Sequence, residues 1–390
     1  MPGNSHGAKH GTRNTKHEVN MSGAVRLDDL LVFTRRAEVS DLHLTVGVPP
    51  VLRIDGQLRA IEGFKPLTPA DTRSLAMELL DEKQMGDLER TRELDLSFGR
   101  RGAGRYRLNV YWQRGSIGLA IRVIRSTIPT IDELGLPQVT KQFAMEDKGL
   151  LLVTGPTGSG KSTTLAAMIQ YINQNESCHI ITVEDPIEYL YRHERSIINQ
   201  RQVNDDTLTF HQALKHILRQ DPDVILVGEM RDLETIEMAM TMAETGHLVF
   251  ATLHTTDAVQ TINRIVDVFP ANQQQQARVQ LSFVLIGVVA QQLIPRVKGG
   301  RILAMEILRV NAAARNMIRE NEVHQIYTIL ETGSKEGMIT MNQWLFNLLQ
   351  HGEISRETCL SRSTNHEQMK RMLSSRGGGA GAAEPMAIRR

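Results

Sequence analysis

The chain has 390 residues, 41% hydrophobic and 23% charged, with 45 Lys plus Arg against 44 Asp plus Glu and a formal net charge of +1. That length accommodates roughly two to three domains with sizeable cores, and the charge balance supplies no overall basic field for nucleic acid. Two cysteines, Cys178 and Cys359, lie far apart and in no CxxC pair, which argues against a disulfide framework or a zinc knuckle and fits a reducing compartment.

Residues 1–24 are rich in Gly, His, Asn and Lys, lack apolar periodicity and read as a disordered leader. They carry charge without an apolar run, so they are not a secretory signal. The longest apolar run, residues 281–290, is about half the length of a membrane span. The cytoplasm is therefore the expected location.

Residues 25–125 form a first compact unit. Leu27, Leu30, Leu31 and Thr34 fall at helical spacing. Residues 41–46 alternate polar and apolar like a half-buried strand, and residues 51–60 read as a hairpin turning at Asp55-Gly56. Thr68-Pro-Ala-Asp71 opens a helical stretch running to about Arg90. Three more strands follow at 94–98, 106–112 and 118–124. Strands grouped with helices to one side predict a small α+β domain. Arginines concentrate on its last strands, at Arg101, Arg105, Arg107, Arg114 and Arg122. They make either a solvated basic face or arginine fingers for a nucleotide.

Residues 126–137 read as a linker, interrupted by Pro129 and Pro137. Between 138 and 310 the pattern changes to β-α alternation, with strands at 150–154, 179–184, 224–228, 248–253 and 288–294. Helices are expected at 210–219, 233–245 and 259–268. This predicts a mostly parallel sheet covered on both faces. Residues 311–373 are helical, at 312–319, 323–330, 340–351 and near 357. The Gly/Ala-rich stretch 374–390 reads as disordered.

The strongest signal is Gly155-Pro-Thr-Gly-Ser-Gly-Lys-Ser-Thr163, a complete P-loop between an apolar strand and a helix. Gly155, Gly158 and Gly160 permit sharp turns that aim backbone N–H groups inward. Pro156, Thr157 and Ser159 complete the loop, and the following helix points its positive end at an anion. Lys161 is placed for the β- and γ-phosphates of ATP; Ser162, helped by Thr163, is placed for Mg²⁺. A second apolar strand ends in Glu229, the position of an acid that holds Mg²⁺ or orients water. A third ends in Glu184, Asp185 and Glu188, where either glutamate suits a general base. His247 and His254 bracket a fourth strand and read as γ-phosphate sensors, as core imidazoles or as a metal pair.

Together these boxes, with Val183-Glu-Asp-Pro-Ile-Glu188, Gly228-Glu-Met-Arg-Asp-Leu-Glu-Thr235 and Glu244-Thr-Gly-His247, closely resemble the secretion ATPases, in particular the type IV pilus retraction motors. Ala314-Arg-Asn-Met-Ile-Arg-Glu320 resembles that family's C-terminal motif, with Ala and Met at two positions where Ile and Leu are usual. The resemblance runs from about Leu27 to Glu357. It implies an α/β architecture: an N-terminal PAS-like α+β domain, then a RecA-like P-loop ATPase domain with a helical C-terminal tail, assembled as a homohexamer. By position it makes Glu188 the catalytic acid, Glu229 the Walker B acid and a metal ligand with Ser162, His247 and His254 the histidine-box residues, and Arg105 and Arg107 the arginines that approach the phosphates. It implies ATP and Mg²⁺ as cofactors and no nucleic acid. It also implies an inner-membrane platform protein and a paralogous retraction ATPase as partners, at the cytoplasmic face of the pilus base. The extension and type II secretion motors usually carry a longer N-terminal region and a tetracysteine zinc site; this chain lacks both.

Overall fold

A computed structural model describes residues 25–374 apart from 37, 55, 101–103, 125 and 126. The expected leader and Gly/Ala-rich tail, the first residue of the hairpin turn, Arg101 and the start of the linker lie outside the described residues. The chain divides into two compact units, the first ending at Ile124 and the second comprising the rest.

The first unit runs α1 (Leu27–Leu31), β1 (Val39–Leu44), β2 (Val51–Ile54), β3 (Gln57–Ala60), α2 (Pro69–Met77), α3 (Glu82–Thr91), β4 (Glu93–Arg100), β5 (Gly104–Gln113) and β6 (Ser116–Ile124). Its six strands form one antiparallel sheet in the order β3-β2-β1-β6-β5-β4. Alternation along β5 sends Tyr106, Leu108 and Val110 into a core shared with Leu30, Leu42, Leu75 and Ile121, while Arg107 is exposed on the other face. The single helix expected from 68 to about 90 is two. Thr68 and Asp71 form one capping box, and Asp81 and Gln84 form a second that starts a new helix.

The second unit runs α4 (Gln138–Ala144), β7 (Gly149–Thr154), α5 (Lys161–Asn175), β8 (His179–Glu184), β9 (Ile197–Gln202), α6 (Phe210–Ile217), β10 (Val224–Val227), α7 (Leu233–Glu244), β11 (Leu248–Leu253), α8 (Ala258–Asp267), α9 (Gln274–Val284), β12 (Leu285–Pro295) and β13 (Arg301–Arg309). The helices α10 (Ala312–Arg319), α11 (Ile326–Thr332), α12 (Met341–Gln350), α13 (Arg356–Arg362) and α14 (His366–Ser374) follow. Seven strands form one sheet in the order β13-β12-β7-β11-β10-β8-β9, parallel except for β12 with β13. Every residue of β7, β10 and β11 is buried. Leu150 and Leu152 enter the core on one face, Leu151 and Val153 that on the other. This is what an uninterrupted apolar run requires of a parallel strand covered on both sides.

Several elements were not expected. β9 is a polar edge strand, Ile-Ile-Asn-Gln-Arg-Gln, which its composition conceals. β13 returns antiparallel along β12 after Gly299 and Gly300. The apolar stretch 281–290 is split between the end of α9 and the start of β12, and α4 occupies the beginning of the expected ATPase core. Among the described residues no helix is long and apolar enough to cross a membrane.

Candidate nucleotide site

Strands β7, β11, β10 and β8 run parallel and in register. The residues that follow them therefore emerge at one sheet edge, where α/β sheets bind ligands. Gly155 leaves β7, Glu184 ends β8, Gly228 and Glu229 follow β10, and His254 follows β11.

Gly155 adopts φ +140°, and a Cβ there would lie 2.2 Å from the Gln291 carbonyl oxygen and 2.7 Å from Ser159 Oγ. Only glycine fits that approach. Pro156, Thr157 and Gly158 are exposed, and Gly160, at φ +93°, serves as the N-cap of α5. Lys161 and Ser162 open that helix, and the Thr163 hydroxyl lies 2.9 Å from the Tyr189 phenol. Lys161 Nζ donates to the carbonyls of Gly155 at 2.8 Å and Pro156 at 3.3 Å. Burial pushes its pKa down, and the charges of Glu229 and Glu188 draw it back up. Both carboxylates thus lie within the electrostatic reach of the P-loop lysine.

The two Asp-box glutamates have different surroundings. Glu184 accepts from Thr182 Oγ1 at 2.7 Å and from Gln200 Nε2 on β9 at 3.3 Å, and burial pushes its carboxyl up to about 7. It is committed to the sheet edge. Glu188 is exposed in the loop beyond.

Glu229 is held on both oxygens, Oε1 at 3.0 Å from His254 Nε2 and Oε2 at 2.7 Å from an Arg231 nitrogen. The Arg231 hydrogen bond draws its carboxyl below the usual range, burial opposes this, and the charges of Arg231 and His254 add to the lowering. Glu229, Arg231, His254, Thr255 and Arg264 line a cavity of about 310 Å³ beside this edge.

His247 lies at the other end of the strand from His254. It precedes β11, next to the start of β7, where its carbonyl accepts from Gly149 N–H. Six residues of extended chain separate it from His254, roughly 20 Å. Its Nδ1 instead lies 2.8 Å from the Met242 carbonyl at the end of α7. Within one chain the two histidines do not share a site.

Arg105 and Arg107 belong to the first unit. Arg105 donates to Ser97 Oγ at 3.0 Å. Arg107 stands in a cross-strand row with Arg122, Asp41 and Arg53. Asp41 in that row accepts from Arg122 Nε at 2.9 Å.

Reading the residues in order missed three contributors. Arg231 was already inside the Glu229 box, and its spacing of two was the available signal. Tyr189 directly follows Glu188 but carries no motif. Gln291 donates to the Ser159 carbonyl from β12, and nothing near it in sequence announces this.

The family model for type II/IV secretion system proteins matches residues 115–299. The chain is 47% identical to the type IV pilus retractation ATPase PilT of Pseudomonas aeruginosa, over 86% of this chain and 98% of that one. It is 41% identical to the type IV pilus ATPase PilU of the same organism, over 86% and 87%. It is also 44% identical to a twitching motility protein of Neisseria gonorrhoeae, over 82% and 86%. A crystal structure of the pilus retraction motor PilT with bound ADP superposes with TM-score 0.84 at 50% identity, covering 89% of this chain and all of that one. By residue pattern, fold and identity, the chain belongs to the type II/IV secretion ATPases and, within them, to the family of the pilus retraction ATPase PilT.

Proposed function

We propose that the chain is the ATP-hydrolysing subunit of a homohexameric motor that powers type IV pilus retraction by driving pilin disassembly. The observation that carries this reading is that the P-loop with Lys161, Glu188 beyond β8 and Glu229 beyond β10 leave the same edge of the parallel sheet, in a chain 47% identical to PilT over nearly all of PilT. On this reading the first unit, residues 25–125, is a PAS-like domain. Residues 126–137 are a hinge, 138–310 a RecA-like core and 311–373 a helical C-terminal part.

The chemistry follows from the groups present. The backbone N–H groups of residues 155–163 and the start of α5 cradle the phosphates. Lys161 exchanges the Gly155 and Pro156 carbonyls for β- and γ-phosphate oxygens. Ser162 and Glu229 are hard oxygen donors of the kind Mg²⁺ takes. Phosphate oxygens and water would complete the shell of a Mg²⁺ held by these two groups. Mg²⁺, when bound, neutralises charge on the phosphates. Glu188 polarises the attacking water, and His254 reports the state of Glu229 through their shared hydrogen bond. Arg105 and Arg107 supply positive charge when nucleotide draws the PAS-like domain of one subunit toward a core. The ring works at the cytoplasmic face of the inner membrane, against the platform protein of the pilus base and beside a paralogous retraction ATPase.

The test pairs phosphate release with pilus behaviour. Lys161→Ala is expected to abolish ATP hydrolysis with the fold intact, because the lysine contributes no core packing, and cells carrying it should keep pili but not retract them. Retraction at the normal rate by the hydrolysis-dead chain overturns the motor reading. A wild-type chain that assembles but releases no phosphate is an accessory subunit instead.

A further inference from the structure

Gln291 lies in the middle of β12 and is fully buried. It touches the P-loop at both ends. Its main-chain carbonyl presses on Gly155, and its side-chain Nε2 donates to the Ser159 carbonyl at 2.9 Å. The same Nε2 would lie 3.3 Å from a Cβ on Gly160. The strand therefore supports the loop from beneath at Gly155 and again at the Ser159–Gly160 peptide.

The second contact has a directional consequence. A trans peptide holds its C=O and N–H in opposite senses. Drawing the Ser159 carbonyl inward onto Gln291 turns the Gly160 N–H outward, toward the side where a phosphate is cradled. Three buried oxygens around this support, Thr154 Oγ1, Ser159 Oγ and Gln291 Oε1, have no hydrogen-bond partner among the described residues. The Gln291 amide donates the hydrogen bond that holds the Ser159 carbonyl; an apolar residue at 291 cannot donate it, and a glutamate can do so only while protonated.

We propose that Gln291 is a positioning residue for nucleotide binding: it orients the Ser159–Gly160 peptide so that the loop is preorganised for the diphosphate. It touches no nucleotide atom and has no part in the hydrolytic step. Its loss should weaken ADP and ATP alike, because both carry the diphosphate, and should leave the chemical step unchanged. This rests on the P-loop being the nucleotide site, which Lys161→Ala tests separately in the same assay.

The experiment uses the full chain. ADP binding is measured by calorimetry, and ATP KM and kcat by phosphate release, for wild type, Lys161→Ala, Gln291→Glu and Gln291→Leu. Melting without nucleotide identifies the temperature at which each is folded. Wild-type binding that Lys161→Ala weakens establishes the site. Gln291→Leu should then bind ADP about tenfold more weakly, the loss expected for one buried donor, and Gln291→Glu should do so at a pH where its carboxyl is ionised. KM should rise by the same factor and kcat should stay within about twofold. Amide exchange in the 155–162 peptide should quicken in the folded variants, which also reads the proposal in Gln291→Leu if a buried glutamate prevents folding. A folded Gln291→Leu with wild-type ADP affinity, or with kcat lowered at unchanged KM, overturns it.

Discussion

Glu306 joins two helices that the sequence places 83 residues apart at their first positions, Ala258 and Met341. It lies on β13 with no exposed surface. One oxygen accepts from the Ala258 N–H at 3.0 Å and the other from the Met341 N–H at 3.4 Å, so one carboxyl serves the N-termini of α8 and α12. Burial pushes its pKa up from an ordinary 4.5 to about 7; the Ala258 N–H opposes the rise, the Asp257 charge adds to it, and the Met341 N–H opposes it again. A carboxyl whose folded pKa is raised binds its proton more tightly in the native state. Its contribution to stability is therefore full below 4.5 and is lost as pH rises toward 7. Each pKa unit is worth roughly 1.4 kcal/mol, so ionising Glu306 costs the fold about 3 kcal/mol, of which about 2 to 3 kcal/mol falls between pH 5 and pH 8. Glu306→Gln removes the titration while keeping the shape. Urea unfolding of wild type and variant at pH 5 and pH 8 should show the wild type losing about 2 to 3 kcal/mol more than the variant over that interval. Taking the difference removes other groups, Glu184 among them, that titrate in the same range. Parallel pH dependence in the two proteins would refute the reasoning.

Arg231→Ala removes the hydrogen bond that holds the Glu229 carboxyl low, so the acid limb of the pH–rate profile should move to higher pH; an unmoved limb means that Glu229 does not titrate in the rate. His254→Ala should lower turnover about tenfold or more, whereas His247→Ala should leave ADP affinity unchanged and cost about 1 kcal/mol through the lost Met242 contact. Calorimetry and steady-state rates on the two variants separate these effects. Arg105→Ala and Arg107→Ala should lower kcat more than ADP affinity, and equal losses in both would place the two arginines in ground-state binding instead.

The elements legible in the sequence are those whose physics is local. The P-loop could be read because glycines with positive φ, a lysine and a helix start follow one another within nine residues. The strands β7, β10 and β11 could be read because burial on both faces leaves only apolar residues. The break between α2 and α3 was present in the Asp81 and Gln84 pair but hidden inside a longer helical pattern.

What the sequence concealed depends on which strands become neighbours. Spacing alone left Glu184 and Glu188 level as candidate bases. The structure gives them different surroundings: Gln200 reaches Glu184 from β9, an edge strand too polar to be recognised, while Glu188 is exposed. His247 and His254 look alike in sequence because each flanks the same apolar run. A strand holds its two ends apart, so a pair that brackets six extended residues cannot close on one ligand within the same chain. Gln291 is the same problem reversed: it is 132 residues from Ser159 in sequence and in hydrogen-bond contact with it, because β12 pairs directly with β7. A motif supplies the reacting groups at one sheet edge. The order of the strands decides which distant residues brace them, and that order is fixed by long-range packing that no window of sequence contains.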